Sequence, residues 1–278
     1  MILTNFPPSE FMKFRHYTDM VSNPNAFPYW YEALSEVGFK TPKTVYKMLS
    51  YEEFNKYSNF FCGEVNKENR ISLTQSLDDE VVYPLLSALM NKSVKGKYFI
   101  KNGCYSNKFN FKTCLTNGND ITYKFLQIQY ESLMRETDGY PFVVIREYID
   151  PIMWFGEIYN GMPMRVEFRV FYDFDKREVM GVMNYWNYDY CKGHLSKEDD
   201  ETFKNASDKI NTIFDLNKEY VSNYVKEKLS SVRHLKGQWS LDFMLNSSDI
   251  ENDLYFIDAA IAQQSAYYRE LLIEKGEL

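Results

Sequence analysis

Histidine is scarce: His16, His194 and His234 are the only three in 278 residues, and each stands alone in its neighbourhood. A His-based metal centre or a Ser-His-Asp arrangement has little to build on, so each reads as an ordinary surface or core residue. Cysteine is also sparse. Cys62, Cys104, Cys114 and Cys191 lie apart with no C-x-x-C spacing, which fits free thiols in a reducing compartment better than a disulfide framework or zinc knuckle. Glycine-rich phosphate loops are missing, and G-x-x-x-x-G-K-[ST] occurs nowhere. Apolar runs such as 142–145 are far too short to span a bilayer, and the start, MILTNFPPSEF, lacks a basic then apolar leader pattern. An excess of positive charge is lacking too. A net charge of −7 and a pI near 5.2 argue against a surface built for nucleic acid, leaving room only for a local basic pocket. The expectation is a cytoplasmic protein with no membrane contact.

Aromatics are abundant: 23 Tyr and 21 Phe bring the aromatic share to 17%, which excludes a disordered chain. The length supports one complex domain or two lobes, and no internal repeat is visible. Residues 29–37 (YWYEALSEV) have helical spacing, with Gly38 as the residue after the helix. Residues 41–45 read as an extended lead into a strand. Ser50 followed by Glu53 predicts a capping box. A helix is expected over 77–90 despite Pro84, and a strand over 97–101 before the polar loop 102–110. The run 142–149 (FVVIREYI) is a strand bracketed by Pro141 and Pro151. The strand 164–171 pairs with 179–186 through a turn at 173–177. Helix dominates 203–232, and a hairpin joins 239–245 to 254–259. Antiparallel strand pairs between helices indicate an α+β chain.

Four stretches carry the chemistry. In 164–171 (MRVEFRVF), Arg165, Glu167 and Arg169 share one strand face opposite an apolar one. That ladder suits a polyanion held with a metal, and it equally suits a solvated sheet face with cross-strand ion pairs. In the last hairpin, centring the turn near Asp249 and Ile250 sets Asp242 opposite Asp258, give or take one residue. Opposed like charges destabilise a sheet unless a hard cation such as magnesium lies between them. Lys101 ends an apolar strand and enters a loop with Gly103, Ser106 and Lys108, a place from which a lysine reaches phosphate. Arg146 and Glu147 sit inside an apolar strand pointing to opposite faces. One of them needs a ligand or a charge partner, with Glu167 a structural alternative for Arg146.

In this order the pieces resemble the ATP-grasp superfamily. EALSEVGFKTPKTV is similar to the opening of many members, Lys101 to their phosphate-touching strand lysine, and IREYID to the lobe-connecting hinge. The pair SLDFML and YFIDAA resembles the two metal-bearing strands. Lys101, Ser106 and Lys108, VIREYI, and Glu167-Phe168-Arg169 are similar to a divergent branch, the cell-division-cycle translation-factor assembly chaperones, and to phage-type relatives. The resemblance implies two α+β lobes with antiparallel sheets enclosing a nucleotide cleft. Its parts are a pre-grasp region at 1–95, a small lobe and hinge at 96–150, and a large lobe with the metal hairpin at 151–278. It implies ATP and Mg2+ as cofactors and nucleotide contacts from Lys101, Ser106, Lys108, Arg146, Glu147, Tyr148, Ile149, Asp150, Glu167 and Arg169. It also implies metal binding by Asp242 and Asp258, and catalytic roles for Arg169 and Lys108. The family usually continues as Asp-x-Asn, where this chain has Asp258-Ala259-Ala260, so the third metal oxygen is either missing or supplied elsewhere, such as by Gln263 or water.

Three functions follow. One is an ATP-dependent carboxylate–amine ligase acting through an acylphosphate on an unknown carboxylate, peptide or protein substrate. Another is a non-catalytic ATP-binding assembly chaperone, whose partner surface would include the aromatic run Tyr185-Trp186-Asn187-Tyr188-Asp189-Tyr190; ordinary core packing is the alternative for that run. A third is nucleotidyl transfer of the polynucleotide-ligase kind, in which Lys101-Asn102-Gly103 imperfectly matches Lys-x-Asp-Gly.

Overall fold

The computed structural model describes residues 16–61, 66–92, 94, 96–135 and 141–278. The opening residues 1–11 and Cys62, read above, lie outside the described residues. Two compact units divide the chain: Met1–Tyr29 with Lys43–Tyr148, and Trp30–Pro42 with Ile149–Leu278. The division falls inside the helix Phe27–Ser35 and again between Tyr148 and Ile149.

The first unit is built on an antiparallel sheet of β1 (Thr44–Met48), β2 (Tyr98–Lys101), β3 (Leu115–Thr116) and β4 (Phe142–Glu147), in the order β1-β4-β2-β3. Segments assigned above to 1–95 and to 96–150 therefore share one sheet. Cross-strand partners point to the same side, so register assigns the faces. Val45, Tyr98, Ile100, Val143 and Ile145 lie on the side that packs onto helices through Leu89, Phe125 and Ile128. Thr44, Phe99, Lys101, Val144 and Arg146 lie on the other.

Helix ends follow local chemistry. Ser50 Oγ accepts from the Glu53 amide at 3.2 Å and Glu53 Oε2 accepts from the Ser50 amide at 2.8 Å, the capping box expected, ahead of Tyr51–Phe61. The helix expected over 77–90 is longer and interrupted. It runs as Lys67–Leu77, a π-turn Asp78–Val82, and Tyr83–Asn91. Pro84 has no amide to donate, and the wider turn absorbs it while Lys47 Nζ donates to the Glu80 carbonyl at 3.3 Å.

In the second unit a two-stranded ribbon of β5 (Glu157–Ile158) and β6 (Met162–Pro163) precedes a four-stranded antiparallel sheet. That sheet holds β7 (Val166–Asp173), β8 (Glu178–Asn184), β9 (Gln238–Leu245) and β10 (Leu254–Ile261), ordered β10-β9-β7-β8. The pairing of β7 with β8 matches the expected hairpin, and β9 lies along the other edge of β7. Phe168 stacks on Phe214 of the helix Lys197–Leu229, which begins at the Ser196 cap rather than at 203. Phe243 and Phe256 meet Phe39 at 5.1 and 5.4 Å on that same side. The opposite sheet face is covered at one end, where Leu271 of the helix Tyr268–Glu274 packs with Phe171 and Met180. Among the described residues no helix is long and apolar enough to cross a membrane.

Candidate functional site

In the first unit Lys101 and Arg146 share the sheet face away from the helical core, and both are buried, 4% and 5% exposed. Lysine and arginine are seldom interior unless something holds their charge. Phe27, fully buried, sits over this face. Its ring centroid lies 5.7 Å from Lys101 Nζ and 5.6 Å from the Arg146 guanidinium carbon. The negative ring face thus favours both cations. Arg146 Nε also donates to Thr44 Oγ1 at 3.2 Å.

The loop after Lys101 is held by its first residue. Asn102 Oδ1 accepts from the amides of Cys104 (3.1 Å) and Tyr105 (2.7 Å), and the Gly103 carbonyl accepts from the Phe27 amide at 2.8 Å. Farther on, Tyr105 Oη donates to Asn107 Oδ1 at 2.8 Å, and the Lys108 amide to the Ser106 carbonyl. Lys108 is half-buried, with Nζ 5.9 Å from the Phe109 ring centroid.

Glu147 points to the other sheet face, as alternation requires, and its Oε2 accepts from the Lys43 amide at 3.3 Å. Tyr148 stands beside Lys97 Nζ at 5.7 Å. Ile149 and Asp150 belong to the second unit; the Ile149 carbonyl accepts from Arg165, and Asp150 is exposed. Arg165 precedes β7 rather than continuing the Glu167–Arg169 face. Buried, it donates to Asn246 Oδ1 at 2.6 Å, so the expected three-residue ladder is shortened to Glu167 and Arg169.

A row of charge crosses the second sheet. Arg169 of β7 pairs in register with Asp242 of β9, which pairs with Asp258 of β10. The aspartates face each other because a bulge between Phe256 and Asp258 absorbs one residue. Arg169 clamps Asp242 with both arms, Nε to Oδ1 at 2.8 Å and Nη2 to Oδ2 at 2.7 Å. Tyr185 covers the guanidinium at 4.5 Å, and the Ala266 carbonyl takes Nη1 at 3.4 Å. Burial pushes the Arg169 pKa down, but Asp242, Tyr185 and Asp258 outweigh it, so the guanidinium is held even more firmly charged. Arg169 therefore supplies the countercharge that the opposed carboxylates need.

The donors suit magnesium, which commonly takes one or two carboxylates and completes its shell with phosphate and water. Each Asp242 oxygen retains a lone pair after the Arg169 bonds. Among the described residues no group of three or more His, Cys, Asp or Glu forms a metal cluster. Gln263 is exposed and its amide donates to Gln238 Oε1 at 3.5 Å.

The aromatic run 185–190 is mostly inward-facing. Trp186 is buried against Phe203 at 6.0 Å, Tyr185 covers Arg169, and of the aromatic residues in the run only Tyr190 is exposed. Phe27, Thr44, Asn102 and Tyr185 escaped the sequence reading of the site. Their link to it is spatial, and spacing gave no sign of it.

No protein-family profile matches the chain, and no curated protein matches it. Solved structures do. Cdc123 from Schizosaccharomyces pombe is similar at 10% identity and a TM-score of 0.49, over 92% of this chain and 91% of that one. A RimK domain ATP-grasp protein from Sphaerobacter thermophilus gives 10% identity and a TM-score of 0.37, over 94% of this chain and 64% of that one. D-alanine–D-alanine ligase from Bacillus anthracis, complexed with ATP, gives 12% identity and 0.40, over 90% and 59% respectively.

Proposed function

We propose that the chain is a Mg-ATP-binding protein of the ATP-grasp kind whose chemistry is ATP-dependent carboxylate–amine ligation through an acylphosphate. The observation that carries this reading is the register of Arg169, Asp242 and Asp258 across three adjacent strands. In the first unit, Lys101, Arg146 and Lys108 with Ser106 suit phosphate, and the backbone of Glu147 and Tyr148 suits adenine. In the second, Ile149, Asp150 and Glu167 extend the nucleotide contacts, and Asp242 and Asp258 would hold magnesium, which neutralises phosphate charge when bound.

In the reaction proposed, a substrate carboxylate oxygen takes the γ-phosphoryl group and ADP departs. An amine then attacks the acyl carbon and inorganic phosphate leaves. Arg169, fixed by Asp242 and covered by Tyr185, stabilises charge on the transferring group. Lys108 does the same from the loop. Such chemistry rests on positioning and electrostatics, which suits a chain poor in histidine.

A second reading, nucleotide binding without turnover in an assembly partner, is favoured by Ala260 and by the hold of Arg169 on both Asp242 oxygens. Calorimetric titration with ATP and magnesium, followed by an ADP-release screen across amino acids and peptides, separates the two. Binding with carboxylate-dependent ADP release supports ligation. Binding without release across the screen supports the partner reading. Affinity unaltered in both Asp242→Ala and Asp258→Ala refutes the metal assignment. Intact mass after incubation with ATP addresses nucleotidyl transfer, which requires an adenylate on Lys101.

A further inference from the structure

Asn102 is fully buried, and its amide is saturated. Nδ2 donates to Gln129 Oε1 and to Ser132 Oγ, each at 2.9 Å, while Oδ1 accepts the amides of Cys104 and Tyr105. Two donors and two acceptor sites are all an asparagine amide offers. Gln129 and Ser132 are also fully buried, on the inward stripe of the helix Ile121–Met134. The Asn102 backbone N–H closes the loop onto itself by donating to the Tyr105 carbonyl at 3.0 Å. Apolar contacts alone would bury this segment more cheaply than a four-bond polar network, so the network specifies a particular loop geometry.

Its position explains which geometry. Lys101 and Asn102 are consecutive at the end of β2. Lys101 lies on the sheet face shared with Arg146, while Asn102 ties the strand end to the helix Ile121–Met134. Ser106 and Lys108 lie just past this closed turn of 102–105, which the Tyr105 Oη bond to Asn107 Oδ1 continues at 2.8 Å. We propose that Asn102 is a positioning residue for nucleotide binding: through Gln129 and Ser132 it pre-orders the loop 102–108 so that Lys101, Ser106 and Lys108 are presented to phosphate without an ordering cost at the moment of binding. This rests on the nucleotide reading above and goes beyond it, because Asn102 itself touches no ligand. Pre-ordered loops gain affinity in this way because immobilising a loop on binding is unfavourable.

The test compares wild type, Asn102→Ala, Asn102→Asp and, as a control for general destabilisation, Phe125→Leu in the core beneath the same helix. Two quantities are read well below every melting temperature: the Kd for ATP with magnesium, and amide hydrogen exchange at Cys104 and Tyr105. Asn102→Ala is expected to weaken ATP at least about tenfold and to speed exchange at both amides by a similar factor. Asn102→Asp keeps Oδ1 as the acceptor for both amides but sets a carboxylate oxygen against Gln129 Oε1 and buries a charge, so it is expected to fall between Asn102→Ala and wild type in both quantities. Phe125→Leu lowers the melting temperature with Kd within about twofold of wild type, since unfolding is negligible at the temperature used. Wild-type binding with equal affinity and equal exchange in Asn102→Ala overturns the role of Asn102 alone. A loss in Phe125→Leu as large as in Asn102→Ala also overturns it, by showing that only general stability matters. No binding by wild type overturns the nucleotide reading, and the role of Asn102 in it falls with that reading.

Discussion

Arg169→Met is the most informative perturbation, because it removes the one positive charge from the row and leaves two negative charges behind. Asp242 and Asp258 are directly opposed on adjacent strands, where side chains begin about 5 Å apart. At that distance, with an effective dielectric of about 20, two carboxylates repel by roughly 3 kcal/mol. The bidentate bonds to Asp242, at 2.8 and 2.7 Å, are lost as well. Breaking one side of a buried pair generally costs about 3–5 kcal/mol, and the same range is expected here. Removing both partners in Arg169→Met/Asp242→Leu takes away the repulsion with the pair, so the double variant recovers at least about 2 kcal/mol relative to Arg169→Met. All four tryptophans, Trp30, Trp154, Trp186 and Trp239, belong to the second unit, so urea unfolding followed by tryptophan fluorescence reports on the sheet in question. Millimolar magnesium should return part of the lost stability to Arg169→Met, since a cation held by the two aspartates replaces the missing guanidinium. The reasoning is refuted if Arg169→Met costs less than about 1 kcal/mol and the two substitutions add without coupling.

Three other outcomes follow from local structure. Burial pushes the Asp173 pKa up, but bonds from Gln238 and from the Lys176 and Asp175 amides outweigh it and hold the carboxyl below its ordinary value. Its stabilising contribution is therefore complete above about pH 3.9 and is lost as pH falls through the lower folded value; urea midpoints of Asp173→Asn should fall less steeply than wild type between about pH 4 and pH 2. A side chain at Gly181 runs into a Leu271 methyl, so Gly181→Val should cost about 1–3 kcal/mol in the same unfolding assay, most of it recovered by adding Leu271→Ala. Burial pushes the Cys114 thiol up to about 12, which leaves about one part in ten thousand as thiolate at pH 8. Disulfide-exchange labelling of the native protein with peptide mapping should then modify Cys104 and Cys191, both half-buried, and spare Cys114 until the chain unfolds.

What the sequence made legible follows from how local each signal is. Alternation of period two assigns Glu167 and Arg169 to one face and sets Arg146 against Glu147, and the turn centre sets Asp242 opposite Asp258 to within one residue; none of this needs knowledge of distant neighbours. The bulge beside Asp258 leaves no mark in the spacing, yet it decides that Asp258 rather than Ile257 meets Asp242. Arg169 and Asp242 are 73 positions apart, and their pairing depends on β9 lying against the free edge of β7. A hairpin reading places only β8 beside β7, so the clamp stays hidden. Arg165 shows the opposite failure: its spacing continues the ladder, but the strand begins one residue later and the side chain is drawn to Asn246 and the Ile149 carbonyl. Gln129 and Ser132 carry no motif, and the run Lys101-Asn102-Gly103 says nothing of what the Asn102 side chain bonds, because a saturated amide is recognisable only once its partners are in place.

The clamp also bears on turnover as distinct from binding. A carboxylate shared between an arginine and a magnesium ion offers each of them less charge than it would offer either alone, so on the proposed reading Arg169 and a bound magnesium would compete for Asp242. A third oxygen after the second aspartate would lessen the reliance on that shared carboxylate; here position 260 is alanine. Weakening the clamp without opposing the charges should therefore tighten magnesium. Arg169→Lys does this, since a lysine keeps the positive charge but cannot make two parallel bonds to one carboxylate. Magnesium affinity in the presence of ATP is expected to rise several-fold in Arg169→Lys while ADP release, if present in wild type, falls, because without the two bonds to Asp242 the cation is no longer fixed in place. Calorimetry and an ADP-release assay on the same preparation read the two effects. Unchanged magnesium affinity in Arg169→Lys would show that the guanidinium and the metal do not share Asp242.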